Sequence, residues 1–310
     1  MSSIQISALI KTYGSVRALD GLDLQVQAGS IFGFLGPNGS GKTTTLRILT
    51  GLAHATSGQA LVAGVDLRQD GRKLSRQVGY LPEEPAFYPW LTPLEFLDYL
   101  GRLYGLELKI RSARARELLQ LVKLSDSGRR RIGGFSRGMR QRLGIAAALV
   151  NEPQVLLLDE PASALDPSGR KEVLDLIGSL RGRCTVLMST HILSDVERVC
   201  DTVGIIARGR LVVQSERQAL LNRYALPAFE LETNQVEALQ LWAGQIGHEP
   251  WVKKCEVNGE TARILVTDVE RAKQALLPSA LQAGLLLRRF EELRPSLEEI
   301  FLGLVGEETK

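Results

Sequence analysis

The sequence predicts an α/β protein, a mostly parallel sheet covered on both faces, followed by a smaller α+β domain. Three observations carry this. Apolar runs of strand length at 31–36 (IFGFLG), 155–160 (VLLLDE) and 185–190 (TVLMST) are unbroken rather than alternating, as in strands buried on both faces. Each run has its polar chemistry at its carboxyl end, the edge where open α/β sheets bind ligands. The texture changes after about Ser215.

Taken in order, IFGFLG leads into a glycine-rich loop and then a helix over Thr43–Thr50 that ends at Gly51. The stretch PAFYPWLTPLEF brings Phe87, Tyr88 and Trp90 together in a Pro-rich segment unsuited to a regular helix. Two readings stand for it: a local aromatic cluster closing the core, or an exposed docking groove. From Pro227 the pattern is a strand (AFELET), a helix (Gln235–Ile246), two strands around Asn258–Gly259, a helix (Val269–Leu277) and a strand (LLLRRF). An amphipathic helix, PSLEEIFLGLVG, comes last. The Asn-Gly pair signals a hairpin, and the order βαββαβ predicts a ferredoxin-like domain without a catalytic constellation.

The 310 residues suggest about two domains, with length to spare for a core. A net charge of +3 is too small to argue for nucleic acid. The arginines at Arg129–Arg131 and Arg111–Arg116 read as a solvated loop and a solvated helix face. Three scattered cysteines without a CxxC argue against a disulfide framework or zinc site and fit a reducing compartment. The first residues lack a signal-peptide pattern, and LGIAAALV, among the longest apolar runs, is far short of a membrane span. The expectation is a soluble chain that reaches a membrane through a partner.

GPNGSGKT at Gly36–Thr43 matches the G-x-x-x-x-G-K-T phosphate loop and lies between a strand and a helix, as its mechanism requires. Gly36, Gly39 and Gly41 let successive N–H groups turn toward phosphate oxygens, and the helix N-terminus adds its dipole. Lys42 is expected to bridge the β- and γ-phosphates and the Thr43 hydroxyl to hold Mg²⁺. Pro37, Asn38, Ser40 and Thr44 complete the expected nucleotide-binding set.

That loop, followed by a short Ser-x-Gly element in FSRGMRQR (Phe135–Arg142) and then by VLLLDEP, resembles the ABC ATPase family over about Ile4 to Arg217. The resemblance implies a P-loop NTPase domain over 1–217, with a helical subdomain at about 85–150, and a small accessory domain over 218–310. It implies that Asp159 completes the Mg²⁺ sphere, that Glu160 polarises the attacking water, and that His191 contacts the γ-phosphate. SALD (Ser163–Asp166) resembles the loop that contacts the opposing subunit. Tyr13, with Val16 beside it, matches the aromatic that stacks on adenine. Ser136 and Gly138 are expected to reach ATP held by a second copy.

Two motifs depart from the family pattern. Glu83 stands where a glutamine usually faces Mg²⁺, and Arg137 and Met139 replace a glycine and a glutamine of the signature. The C-terminal part is similar to the tail of ATPase subunits from bacterial exporters whose membrane subunit is a separate chain. The expected function is thus an exporter's ATP-hydrolysing subunit, cytoplasmic and held at the inner face of the cell membrane by its permease, with ATP and Mg²⁺ and no nucleic-acid partner. The alternatives are a soluble ABC ATPase acting on ribosomes or DNA, and an importer subunit.

Overall fold

The computed structural model describes residues 2–68, 71–224, 227–293, 297 and 300–301. Two compact units divide between Arg217 and Gln218. The first carries β1 (Ser2–Tyr13), β2 (Val16–Gln27), β3 (Ile31–Leu35), α1 (Lys42–Leu49), β4 (Ser57–Val62), β5 (Val65–Asp66), α2 (Gly71–Gln77) and β6 (Val78–Leu81). It continues with α3 (Pro93–Leu103), α4 (Leu108–Leu121), α5 (Arg137–Ala148), β7 (Val155–Asp159), α6 (Pro167–Ser179), β8 (Thr185–Thr190), α7 (Leu193–Val199), β9 (Thr202–Ala207) and β10 (Arg210–Glu216).

The central sheet has the order β10-β9-β3-β8-β7-β6. All neighbours are parallel except β10, an antiparallel edge strand on β9. Every residue of β3, β7 and β8 is buried, so the unbroken apolar runs are covered on both faces. A second, antiparallel sheet, β2-β1-β4-β5, shares one core with α1 and one face of the central sheet through Leu22, Leu46, Phe34 and Leu157. Each such side chain contributes about 1.5–3 kcal/mol on burial. This core clamps α1, and with it the loop that starts α1.

Helices α3, α4 and α5 follow the Pro-rich segment. Thr92 and Glu95 form a reciprocal cap at the start of α3, with Pro93 at the first helical position. Of the arginine-rich stretch on α4, Arg116 is solvated as expected, but Arg111 and Arg114 are not. Arg111 Nε donates to Asp98 Oδ1 (2.6 Å) on α3, and Arg114 Nη2 donates to the Leu149 carbonyl (2.9 Å). A helical face of arginines reads as solvent-facing until its neighbours are known. Here the guanidiniums tie α4 to α3 and to the end of α5.

α8 (Arg217–Tyr224) leads into the second unit, which carries β11 (Ala228–Thr233), α9 (Val236–Ile246), β12 (Val252–Asn258), β13 (Thr261–Val266), α10 (Val269–Gln282) and β14 (Leu287–Leu293). Its sheet, β12-β13-β11-β14, is antiparallel throughout, the ferredoxin-like order. Phe229, Leu231, Leu239, Trp242 and Leu276 share its core. Three local expectations shift. The hairpin loop is Gly259-Glu260, because Asn258 still pairs with Thr261, and Gly259 supplies the positive φ. α10 runs through Pro278 to Gln282, since Leu276 and Ala280 are buried on either side of it and Ser279 Oγ bonds both the Leu276 carbonyl and Trp242 Nε1. β14 starts and ends later than LLLRRF. The C-terminal PSLEEIFLGLVG segment falls largely outside the described residues.

Candidate functional site

The phosphate loop joins the buried β3 to α1, and its shape follows from its glycines. Gly41 sits at φ 110° as the N-cap of α1, a conformation open to glycine. A Cβ on Gly36 would lie 2.4 Å from the Ile206 carbonyl and 2.6 Å from Ser40 Oγ, so the loop packs directly on β9. Lys42 is folded back over this loop: its Nζ donates to the carbonyls of Gly36 (2.8 Å) and Pro37 (3.2 Å) and lies 3.5 Å from Glu160 Oε1. Burial lowers the Lys42 pKa, while Glu160, Asp159 and Glu83 pull it back up.

The acidic pair stands across from the loop at the end of β7. Thr43 Oγ1 donates to Asp159 Oδ1 (3.2 Å), and Ser189 Oγ donates to the same oxygen (2.6 Å). Glu160 leaves the strand with φ 46°, which few residues other than glycine adopt. Its N–H is held by the Ser189 carbonyl (3.2 Å) and Ser189 Oγ (3.1 Å). So placed, its carboxylate meets Lys42 through one oxygen and His191 Nδ1 (3.0 Å) through the other.

A cavity of about 340 Å³ opens on this cluster, lined by Ala18, Asn38, Gly39, Gly41, Lys42, Thr43, Thr44, Glu83, Glu160 and His191. The fold thus brings the loop, Glu83, the acidic pair and His191 to one place. Gly36, Pro37 and Ser40 form the loop behind Lys42. The donor set of a hydroxyl and carboxylates is all oxygen, which suits a hard cation such as Mg²⁺.

Tyr13 and Val16, the ends of β1 and β2 where the two strands turn back, are exposed at 47% and 63%, with Lys11 Nζ 4.5 Å from the Tyr13 ring centroid. They do not line the cavity, although Ala18 of the same hairpin does. Ser136 and Gly138 also lie outside it. Ser136 caps α5, its Oγ accepting from the Met139 N–H (3.2 Å). A Cβ on Gly138 would meet nothing nearer than the Gly169 Cα at 4.0 Å, so packing within the protomer does not require a glycine there.

The aromatic stretch divides between its two readings. Phe87 turns inward onto Phe96 (ring centroids 5.2 Å), while Tyr88 and Trp90 stay exposed against each other (5.3 Å). Phe87, unlike Tyr88 and Trp90, lines a groove of about 350 Å³ with Tyr80, Pro85, Phe96, Leu100 and Tyr104 among others.

Ser189 is a residue that the sequence did not disclose, because it sits next to last in an otherwise apolar strand. A hydroxyl at the carboxyl end of TVLMST was the available signal. The pair Arg170 Nε to Asp195 Oδ1 (2.6 Å) was equally hidden; it ties α6 to α7, the helix after His191.

A phosphate loop ending in a buried lysine, set beside an acidic strand end on a parallel sheet, defines a P-loop NTPase. Residues 19–163 match the family model described as ABC transporter, and residues 216–305 match that of the ATP-binding protein DrrA1-3-like, C-terminal domain. The daunorubicin resistance ATP-binding protein DrrA3 of Streptomyces coeruleorubidus is 35% identical over 100% of this chain and 98% of its own. The Nod factor export ATP-binding protein I of Burkholderia lata is 34% identical over 96% and 95%. Among solved structures, a dimeric post-hydrolysis ATP-binding cassette bound to ADP and Pi (MJ0796) is similar with TM-score 0.62 and 26% identity over 69% of this chain and 98% of its own. The chain belongs to the ATP-binding proteins of ABC transporters, with the ABC ATPase fold and a DrrA-type C-terminal domain.

Proposed function

We propose that two copies of this chain enclose two Mg·ATP and drive export through a separate membrane permease. The observation that supports this most is the one-sidedness of the site. Loop, Glu160 and His191 line one cavity, with Asp159 bonded to Thr43 behind it, while Ser136 is exposed and Gly138 half-buried at a helix start outside it. A glycine that its own protomer does not need leaves room for a close approach from elsewhere. We assign that approach to ATP in the second copy's loop, with Tyr13 and Val16 taking the adenine.

In this reading Lys42 gives up its loop carbonyls to the phosphates, a charge-assisted exchange of about 1.5–3 kcal/mol per bond. Thr43 and Asp159 would hold Mg²⁺, with Glu83 beside them. Bound there, Mg²⁺ supplies charge neutralisation to the triphosphate. Glu160 is placed to take a proton from the attacking water, and His191 fixes the rotation of its carboxylate. The positive φ at Glu160 is the local cost of aiming that carboxylate.

Among the described residues no helix is long and apolar enough to cross a membrane. In this reading the translocation path belongs to the permease. The groove lined by Phe87, together with the exposed Tyr88 and Trp90, is the assigned permease contact, which would hold the ATPase at the inner face of the membrane. Export, rather than import, rests on the DrrA-type C-terminal domain and on the export function that the Burkholderia relative's name states.

Ser136→Arg is expected to bind ATP with wild-type affinity as a monomer and to lose hydrolysis by about a hundredfold or more. Equilibrium binding and phosphate release check this. Full turnover in that variant would remove the second copy from the site.

A further inference from the structure

Glu83 forms part of the wall of two cavities. On one side it faces the phosphate-loop pocket with Lys42, Thr43 and Glu160. On the other it lines a separate cleft of about 270 Å³ with Glu84, Arg137, Arg140 and Gln141.

Each of the two main charges is badly placed on its own side. Glu83 is balanced there by Lys42, but it adds a second carboxylate to Glu160 in a pocket that, on the reading above, receives a polyanion. Arg137 occupies the first turn of α5, where the helix dipole disfavours a cation, and that turn has no acidic residue to offset it. Arg140 is anchored by its Nη1 bond to the Phe135 carbonyl (3.0 Å), and Gln141 is buried. Both side chains are exposed and no ion pair within 4.0 Å joins them, but they line one cleft, across which opposite charges attract.

We propose that Arg137, supported by Arg140, is the counter-charge for Glu83 within the same protomer, so that the signature helix sets the field in its own nucleotide pocket. This rests on the nucleotide reading above. It has a consequence for the dimer. When Ser136–Gly138 engage ATP held by the second copy, Arg137 is drawn out of the cleft it shares with Glu83, and the carboxylate bears fully on the protomer's own phosphates and their cation. Lid engagement at one site is thereby reported to the other.

The test is a double-mutant cycle on ADP binding to the single protomer, read with a fluorescent ADP in EDTA. ADP without phosphate, at a protein concentration where light scattering gives the single-chain mass, leaves the second copy out of the measurement, and removing free metal leaves the repulsion unmasked. Arg137→Gln is expected to weaken ADP binding at least about threefold in the wild-type background and to have no effect in Glu83→Gln, a coupling within the usual range for interacting neighbours. Arg137→Lys, which keeps the charge, should retain most of the wild-type affinity. Equal losses in both backgrounds, or none in either, overturn the pairing while leaving the nucleotide site intact. Failure of the wild-type chain to bind ADP overturns both.

Discussion

Glu160→Gln is expected to bind ATP, to hydrolyse it about 10²–10⁴-fold more slowly, and to accumulate as an ATP-bound dimer. The amide keeps the size of the carboxylate and still accepts from His191 Nδ1, now 3.0 Å away, so the pocket should remain formed. It cannot take a proton from water. It also removes the charge 3.5 Å from Lys42, which frees the ammonium for phosphate and favours binding. Single-turnover hydrolysis separates the two effects: binding retained or tightened, the chemical step slowed. If turnover falls less than about tenfold, Glu160 is not the base.

The second large effect lies at the other end of that pair. Lys42→Ala is expected to weaken ATP binding by about 3 kcal/mol or more, roughly a hundredfold, because at least two charge-assisted bonds to phosphate are lost. The same change strips the Gly36 and Pro37 carbonyls of their donor and leaves Glu160 facing Asp159 and Glu83 without a cation. Binding by calorimetry checks the magnitude, and the thermal midpoint without nucleotide checks that the fold is kept. A tenfold or smaller loss would mean that the loop backbone, not Lys42, dominates phosphate recognition.

What was legible in the sequence was local. The loop could be read because its glycines, lysine and threonine are contiguous and flanked by a strand and a helix. Asp159, Glu160 and His191 could be placed because unbroken apolar runs mark β7 and β8, and a parallel sheet aligns their carboxyl ends. Ser189 escaped because its role depends on β8 lying beside β7, a long-range fact carried by no local pattern. Arg111 and Arg114 were misread for the same reason: periodicity gives a face but not what the face meets. Pro278 reads as a stop, yet buried side chains on both sides of it carry α10 onward. The Gly259-Glu260 loop shows the remaining limit, a turn displaced by one residue because Asn258 is held in the ladder by Thr261.

The central claim is that the site is shared between two copies, with Ser136 of one acting on ATP in the other. The measurement that tests it most directly is the mass, by light scattering, of Glu160→Gln and Glu160→Gln/Ser136→Arg at saturating ATP. Glu160→Gln should run at twice the 34.0 kDa of the chain. The double variant should bind ATP equally well and stay at the single mass. Equal dimerisation of both variants would contradict the account.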